Sequence, residues 1–138
     1  MSREAAELVR SLYEAFNRRD YANAVQCLDP QVEVYPAVVG LDPAGAGTTR
    51  RWFGRNGVLQ TFEDLGETWQ SVTVEIQGTE ELGDGRVLAV EDWHTRGRDG
   101  IGFTTRITDV YTVKGTLIVR VDGFLDRAEA LEAMGLGE

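Results

Sequence analysis

The apolar positions near the start of the chain recur at helical spacing. Ala5, Val9, Leu12, Tyr13 and Phe16 fall at i, i+4, i+7, i+8 and i+11, one face of an α-helix, with Ser2 placed to cap it. Asn17 to Arg19 interrupts that stripe, and Asp20 opens a second, short helix carrying Val25 and Leu28. Asp29-Pro30 is expected to end it, because proline restricts the residue before it. Val32 to Tyr35 reads as a strand stopped by Pro36, and Gly40 to Thr49, with three glycines and a proline, has neither period and reads as a loop long enough for a lid or a mouth. A third helix is predicted from about Asn56 to Thr68, with Val58, Leu59, Phe62, Leu65 and Trp69 on one side.

Past Thr68 the period changes to two. Val72, Val74 and Ile76 alternate with Thr73, Glu75 and Gln77, and Arg86 to Arg96, Phe103 to Val113 and Leu117 to Leu125 follow as longer strands. Gly83-Asp84-Gly85, Gly97 to Gly102 and Lys114-Gly115 supply the turns, so an antiparallel, hairpin-connected sheet is expected. Asp126 to Met134 closes the chain as a helix, with Asp126 and Glu129 at capping-box spacing and Gly135 as its stop. Helices first and long strands afterwards make an α+β domain, with a twisted sheet curled over three helices into a cone.

Three stretches carry a resemblance to a known family: "VRSLYEAFNRRDYANAVQCLDPQVEV", the "GRNGVLQTFEDLGETW" helix, and the ending "LIVRVDGFLDRAEALEAMGL". Together they resemble the SnoaL-like branch of the nuclear transport factor 2-like superfamily over nearly the whole chain. The resemblance implies a single domain over residues 1–138, with a cone-shaped curved antiparallel sheet wrapped over N-terminal and central helices, a cystatin-like α+β barrel. Relatives in that superfamily include ketosteroid isomerase, SnoaL-type polyketide cyclases, limonene epoxide hydrolase, scytalone dehydratase and many non-enzymatic binding domains. The side chains that project into the cone therefore decide the function, not the fold.

Strand parity identifies those side chains, because successive residues point to opposite faces. In the strand Phe103 to Val113 one face carries Phe103, Thr105, Ile107, Asp109, Tyr111 and Val113, and it is the apolar one. Asp109 is thus a carboxylate between Ile107 and Tyr111 on a buried stripe, where desolvation raises its pKa and suits it to acid–base work. In Arg86 to Arg96 the polar set Asp92, His94 and Arg96 turns Val87, Ala89, Glu91 and Trp93 toward the cone, which brings Glu91 near Asp109 if the two strands are neighbours. A slip of one residue would instead send in Asp92 and His94. The resemblance places Asp109 at the protonated oxyanion-hole aspartic acid of ketosteroid isomerase. It also puts that enzyme's general base at Tyr35 and its tyrosine at Leu12, so the isomerase mechanism is not reproduced. The epoxide hydrolase set would fall at Glu91, Trp93 and Gly123, and it fails too.

The expected site is therefore Asp109 and Glu91 as catalytic carboxyls in an apolar pocket lined by Leu12, Phe16, Tyr35, Trp52, Phe62, Trp93, Tyr111 and Val121. The reaction class is proton abstraction beside a carbonyl, giving isomerisation, aldol-type cyclisation or dehydration of a polyketide- or terpenoid-like molecule. The competing class is a non-catalytic module that holds a hydrophobic ligand. Neither reading calls for a metal or an organic cofactor.

Charge and cysteine content narrow the partners. The chain has 138 residues, 42% of them hydrophobic, and its 14 basic and 23 acidic side chains leave a net charge of −9, which repels phosphate backbones and anionic lipid. Nucleic acid and membrane are poor partners on that ground. The lone Cys27 and single His94 rule out an internal disulfide and a zinc cluster of His/Cys type, and with no apolar run near ~18 residues they fit a cytoplasmic location. Arg50-Arg51 beside the loop is placed to attract an anionic ligand, a solvated loop being the commoner fate of such a pair. Leu88, Val90, Val110 and Ile118 make the outer sheet face apolar enough to predict a homodimer, and superfamily relatives commonly pair this way.

Overall fold

The structure, a computed structural model, describes residues 2–37 and 52–136. The predicted loop Gly40 to Thr49 and the Arg50-Arg51 pair lie outside the described residues. Helix α1 (Ser2–Asn17) leads into a short α2 (Tyr21–Ala24), a 3₁₀ turn (Val25–Cys27) and strand β1 (Leu28–Tyr35). Strand β2 (Trp52–Phe53) and helix α3 (Gly54–Thr68) come next, followed by β3 (Ser71–Gly83), β4 (Arg86–Arg96), β5 (Gly102–Lys114), β6 (Leu117–Phe124) and α4 (Arg127–Ala133).

The six strands form one curved, unclosed sheet in the order β2-β1-β6-β5-β4-β3. It is mixed, not purely antiparallel, because β1 runs parallel to β6, with Val34 opposite Val121 and Tyr35 opposite Asp122. The connection from β1 to the end of the chain is long, so nothing forces the hairpin geometry that the other neighbours share. The second helix is shorter than predicted. Asp20 caps it, its side chain accepting from the Asn23 amide, but β1 already begins at Leu28 and runs through Pro30. That strand tolerates proline because its ladder with β6 is interrupted between Leu28 and Glu33, where the Leu28 carbonyl accepts instead from the Arg55 guanidinium at 2.6 and 3.1 Å.

Two of the sheet's bulges bear on the site and the core. One at Gln77, between the Ile76–Glu91 and Gly78–Val90 pairs, bends β3 around the helices. A second offsets Val113–Ile118 from Thr112–Arg120, so Val119 is the extra residue on β6. An extra residue reverses the side to which everything beyond it points, which is why Ile118 is fully buried in the main core instead of on the outer face. The other apolar residues of that outer face are also covered from within the chain. Leu88 and Val110 pack under α4 with Ala130, and Val90, Leu131 and Met134 lie around them. The apolar patch from which a homodimer was inferred is therefore occupied by the protein's own C-terminal helix.

Inside the curve, α1 buries Val9, Leu12, Tyr13 and Phe16, and α3 buries Val58, Phe62 and Leu65. The end of α1 is fastened to β3 by Asn17, whose amide nitrogen donates to the Val74 carbonyl at 2.9 Å and whose carbonyl accepts from the Val74 amide at 2.8 Å. Helix α4 is closed at its start by Asp126, which accepts from the Glu129 amide at 2.8 Å, while Glu129 reaches back to the Leu125 amide. No helix among the described residues is long and apolar enough to cross a membrane.

Candidate active site

β4 and β5 are neighbours, and their register sets the site. Glu91 lies opposite Ile107 and Asp109 opposite Ala89, so the two carboxyls share the inner face one step apart. Asp92 and His94 are on the outer face. Asp92 takes two hydrogen bonds from Arg106 at 2.8 and 3.0 Å, and His94 sits between Thr104 and Glu75. The alternative parity, with Asp92 and His94 in the cone, is thereby overturned.

Glu91 is fully buried and Asp109 is 7% exposed, with no cation among their hydrogen-bond partners in the described residues. The Trp93 indole donates to Glu91 Oε1 at 3.0 Å, and the Tyr111 hydroxyl donates to Glu91 Oε2 with a second, longer approach to Asp109 Oδ2 at 3.4 Å. Tyr111 has one proton to give, so the 2.6 Å contact between the Tyr13 and Tyr111 hydroxyls is donated by Tyr13. A directed chain results, from Tyr13 on α1 through Tyr111 to Glu91, with Asp109 hydrogen-bonded to Glu91 at its end.

Burial decides the charges. Desolvation, then the charge of Asp109, holds the Glu91 carboxyl well above the usual range. Burial pushes Asp109 up to about 6, against hydrogen bonds from Glu91 and Tyr111 that pull it down. The two carboxyls titrate as one coupled pair whose protons are held to higher pH than those of free carboxyls. Both tyrosines are pushed well above their ordinary value by burial first and by Glu91 second, so they stay phenols and act only as donors.

Several residues named from the sequence share the aromatic cluster or the core with the carboxyls' partners Trp93 and Tyr13. Phe16 packs edge-on to Tyr13, Phe62 and Trp93, and Trp52 packs edge-on to Phe62 at 6.5 Å between ring centroids. Leu12 and Val121 are buried in the same core. Tyr35 is elsewhere. Leu28, Val32 and Val34 are the buried residues of β1, so Tyr35 shares the opposite face with Glu33, bonding that carboxylate at 2.7 Å beneath the Arg120 guanidinium. Tyr13 was missed as a site residue, although a tyrosine on a buried helix face signals that its hydroxyl has a partner across the core. Gly123 was missed too. It lies opposite Asp109 on β6, and a glycine inside a strand signals close approach by another group. Among the described residues no group of three or more His, Cys, Asp or Glu is arranged to hold a metal ion.

Known proteins share this architecture. A nuclear transport factor 2-like protein from Burkholderia pseudomallei is 21% identical, with 94% of this chain and 95% of that one aligned at a TM-score of 0.74. TerC, co-crystallised with polyporic acid, is 17% identical over 96% and 97% of the two chains, also at 0.74. Rv0760c from Mycobacterium tuberculosis, in complex with estradiol-17beta-hemisuccinate, is 16% identical over 89% and 94% at 0.72. At these identities the likeness is one of fold. No curated protein matches the sequence. The model of the SnoaL-like domain matches residues 9–121, from the buried face of α1 to the strand beside Asp109, and the chain belongs to that family.

Proposed function

We propose that the protein is a cofactor-independent acid–base enzyme of isomerase, cyclase or dehydratase type, acting on a hydrophobic, carbonyl-containing molecule of polyketide or terpenoid kind. The observation that carries this reading is the pair of buried carboxyls, Asp109 and Glu91, with no counter-cation bonded to them among the described residues. One is an anion near neutral pH and the other an acid, the separation of roles that proton transfer within one site requires. Asp109, the less enclosed of the two, takes the proton beside the carbonyl. Glu91, held by Trp93 and Tyr111, stays protonated behind it and shares its proton as charge builds on Asp109 or leaves it. Leu12, Phe16, Trp52, Phe62, Trp93 and Val121 supply the apolar wall in this reading, and Tyr35, on the other face, does not. The ligands named for TerC and Rv0760c, polyporic acid and estradiol-17beta-hemisuccinate, support a small-molecule partner.

The test reads proton abstraction directly. Polycyclic ketones and phenolic quinones are first screened for binding through the quenching of tryptophan emission. Exchange of the ketones' acidic C–H for deuterium is then followed by NMR. Wild type should catalyse exchange with a rate that rises through a group titrating near 6, and Asp109→Asn should lose it. Tight binding without exchange, unaltered in Asp109→Asn, would sink the catalytic reading in favour of a ligand-holding module.

A cytoplasmic location and a homodimer belong to the same proposal. With α4 over Leu88 and Val110, the support left for pairing is the uncovered part of the outer sheet face. Light scattering at micromolar concentration should return twice the mass of one chain, and a single-chain mass would remove the dimer.

A further inference from the structure

Gly123 stands on β6 directly across from Asp109 and faces the same side of the sheet as Val121, two residues before it. A Cβ built on Gly123 would lie 3.0 Å from Asp109 Oδ1, 2.5 Å from the Ala37 backbone nitrogen and 3.0 Å from the Tyr35 carbonyl oxygen. Nothing about its dihedral angles demands glycine, since Gly123 is not among the positive-φ residues. What the position demands is space, and two neighbours use it: the tail of β1 and the carboxylate of Asp109.

We propose that Gly123 is a positioning residue for the acid–base pair, its missing side chain being the seat in which one oxygen of Asp109 rests. Asp109 lies between β6 and β4, and Glu91 is on β4, so the direction in which Asp109 can be pushed is fixed. Any side chain at 123 drives the carboxylate off β6 and toward Glu91 and Tyr111. The two carboxyls then share their proton more tightly, the first proton leaves at lower pH, and the second leaves at higher pH. Gly123 thereby sets the pH at which Asp109 becomes a base. This inference rests on the catalytic reading of Asp109 for its meaning, but not for its test.

The experiment titrates the carboxyl carbons of wild type, Gly123→Ala and Gly57→Ala by carbon-detected NMR, with Asp109→Asn used to assign the Asp109 signal. Gly57, in α3, has open space where a Cβ would go and serves as the control. Gly123→Ala should lower the pH of first proton release by about half a unit to one unit, roughly a three- to tenfold change in the equilibrium, and Gly57→Ala should leave it in place. An unchanged first titration in a folded Gly123→Ala protein overturns the proposal.

Should Gly123→Ala fail to fold, the double variant Asp109→Ala/Gly123→Ala decides, because it removes the oxygen that meets the new methyl group. Recovery of folding supports the seat. Continued failure assigns the glycine to the β1 tail alone and overturns the proposal. A shifted titration with no deuterium exchange in any variant would sink the catalytic reading and leave the role of Gly123 intact.

Discussion

Wild-type protein should lose stability relative to Asp109→Asn as the pH climbs from about 4 to about 7. In the unfolded chain the aspartate carboxyl releases its proton near 3.8, and in the fold near 6, so between those values the folded state binds more protons than the unfolded one. Stability then falls with rising pH, because the slope follows the protons bound in the unfolded state minus those bound in the native state. The stabilising share is complete below pH 4 and gone once the pH has passed through the folded value near 6. Two units of displacement correspond to about 3 kcal/mol at most, since the pair titrates as one system. Glu91 is displaced in the same direction, so it adds to the loss of stability with rising pH in both proteins. Urea unfolding of both proteins across this range measures the effect. A wild type that gains on Asp109→Asn with rising pH would mean the carboxylate is favourably paired as an anion, contrary to its surroundings. In the exchange assay the same substitution should lower the rate by about 10² to 10⁴.

Phe16→Ala should cost about 3 to 5 kcal/mol of unfolding free energy, the usual range for removing a fully buried phenylalanine. Phe16 is the hub of the aromatic cluster, in contact with the rings of Tyr13, Tyr21, Phe62 and Trp93 at centroid distances from 4.8 to 6.1 Å. Removing it opens space beside Trp93 and Tyr13, which hydrogen-bond Glu91 and its partner Tyr111 respectively. Chemical denaturation gives the number. A loss under about 1 kcal/mol would mean that the ring is loosely packed and is not the hub of the core.

The helices and the long strands were legible because each has one clean period: α1 carries a stripe of five apolar residues, and β5 alternates from Ile107 to Tyr111. The inward placement of Asp109 and Glu91 followed from the same alternation. The parallel contact of β1 with β6 was not legible, since nothing local in Val32 to Tyr35 records which distant strand lies alongside. Ile118 was misplaced because a single extra residue at Val119 inverts the parity, and no turn residue marks it. Tyr35 was misplaced because the aromatic ring suggested the core, whereas Arg120 and Glu33 provide it with a polar berth on the outside. The roles of the two carboxyls could not be read from spacing. They depend on depth, and it is Glu91 rather than Asp109 that has no exposed surface.

The sheet is open, and β3 is one of its two edges. A thirteen-residue edge strand offers a row of backbone groups to any extended peptide that meets it, the geometry from which strand-by-strand aggregation grows. Asn17 closes part of that row. Its side-chain amide has the same donor and acceptor as a peptide group, and by bonding both the amide and the carbonyl of Val74 it takes the place that one residue of a seventh strand would occupy. The last residue of the first helix thus acts as a plug in the sheet's margin, and a foreign strand must expel it before it can zip along β3.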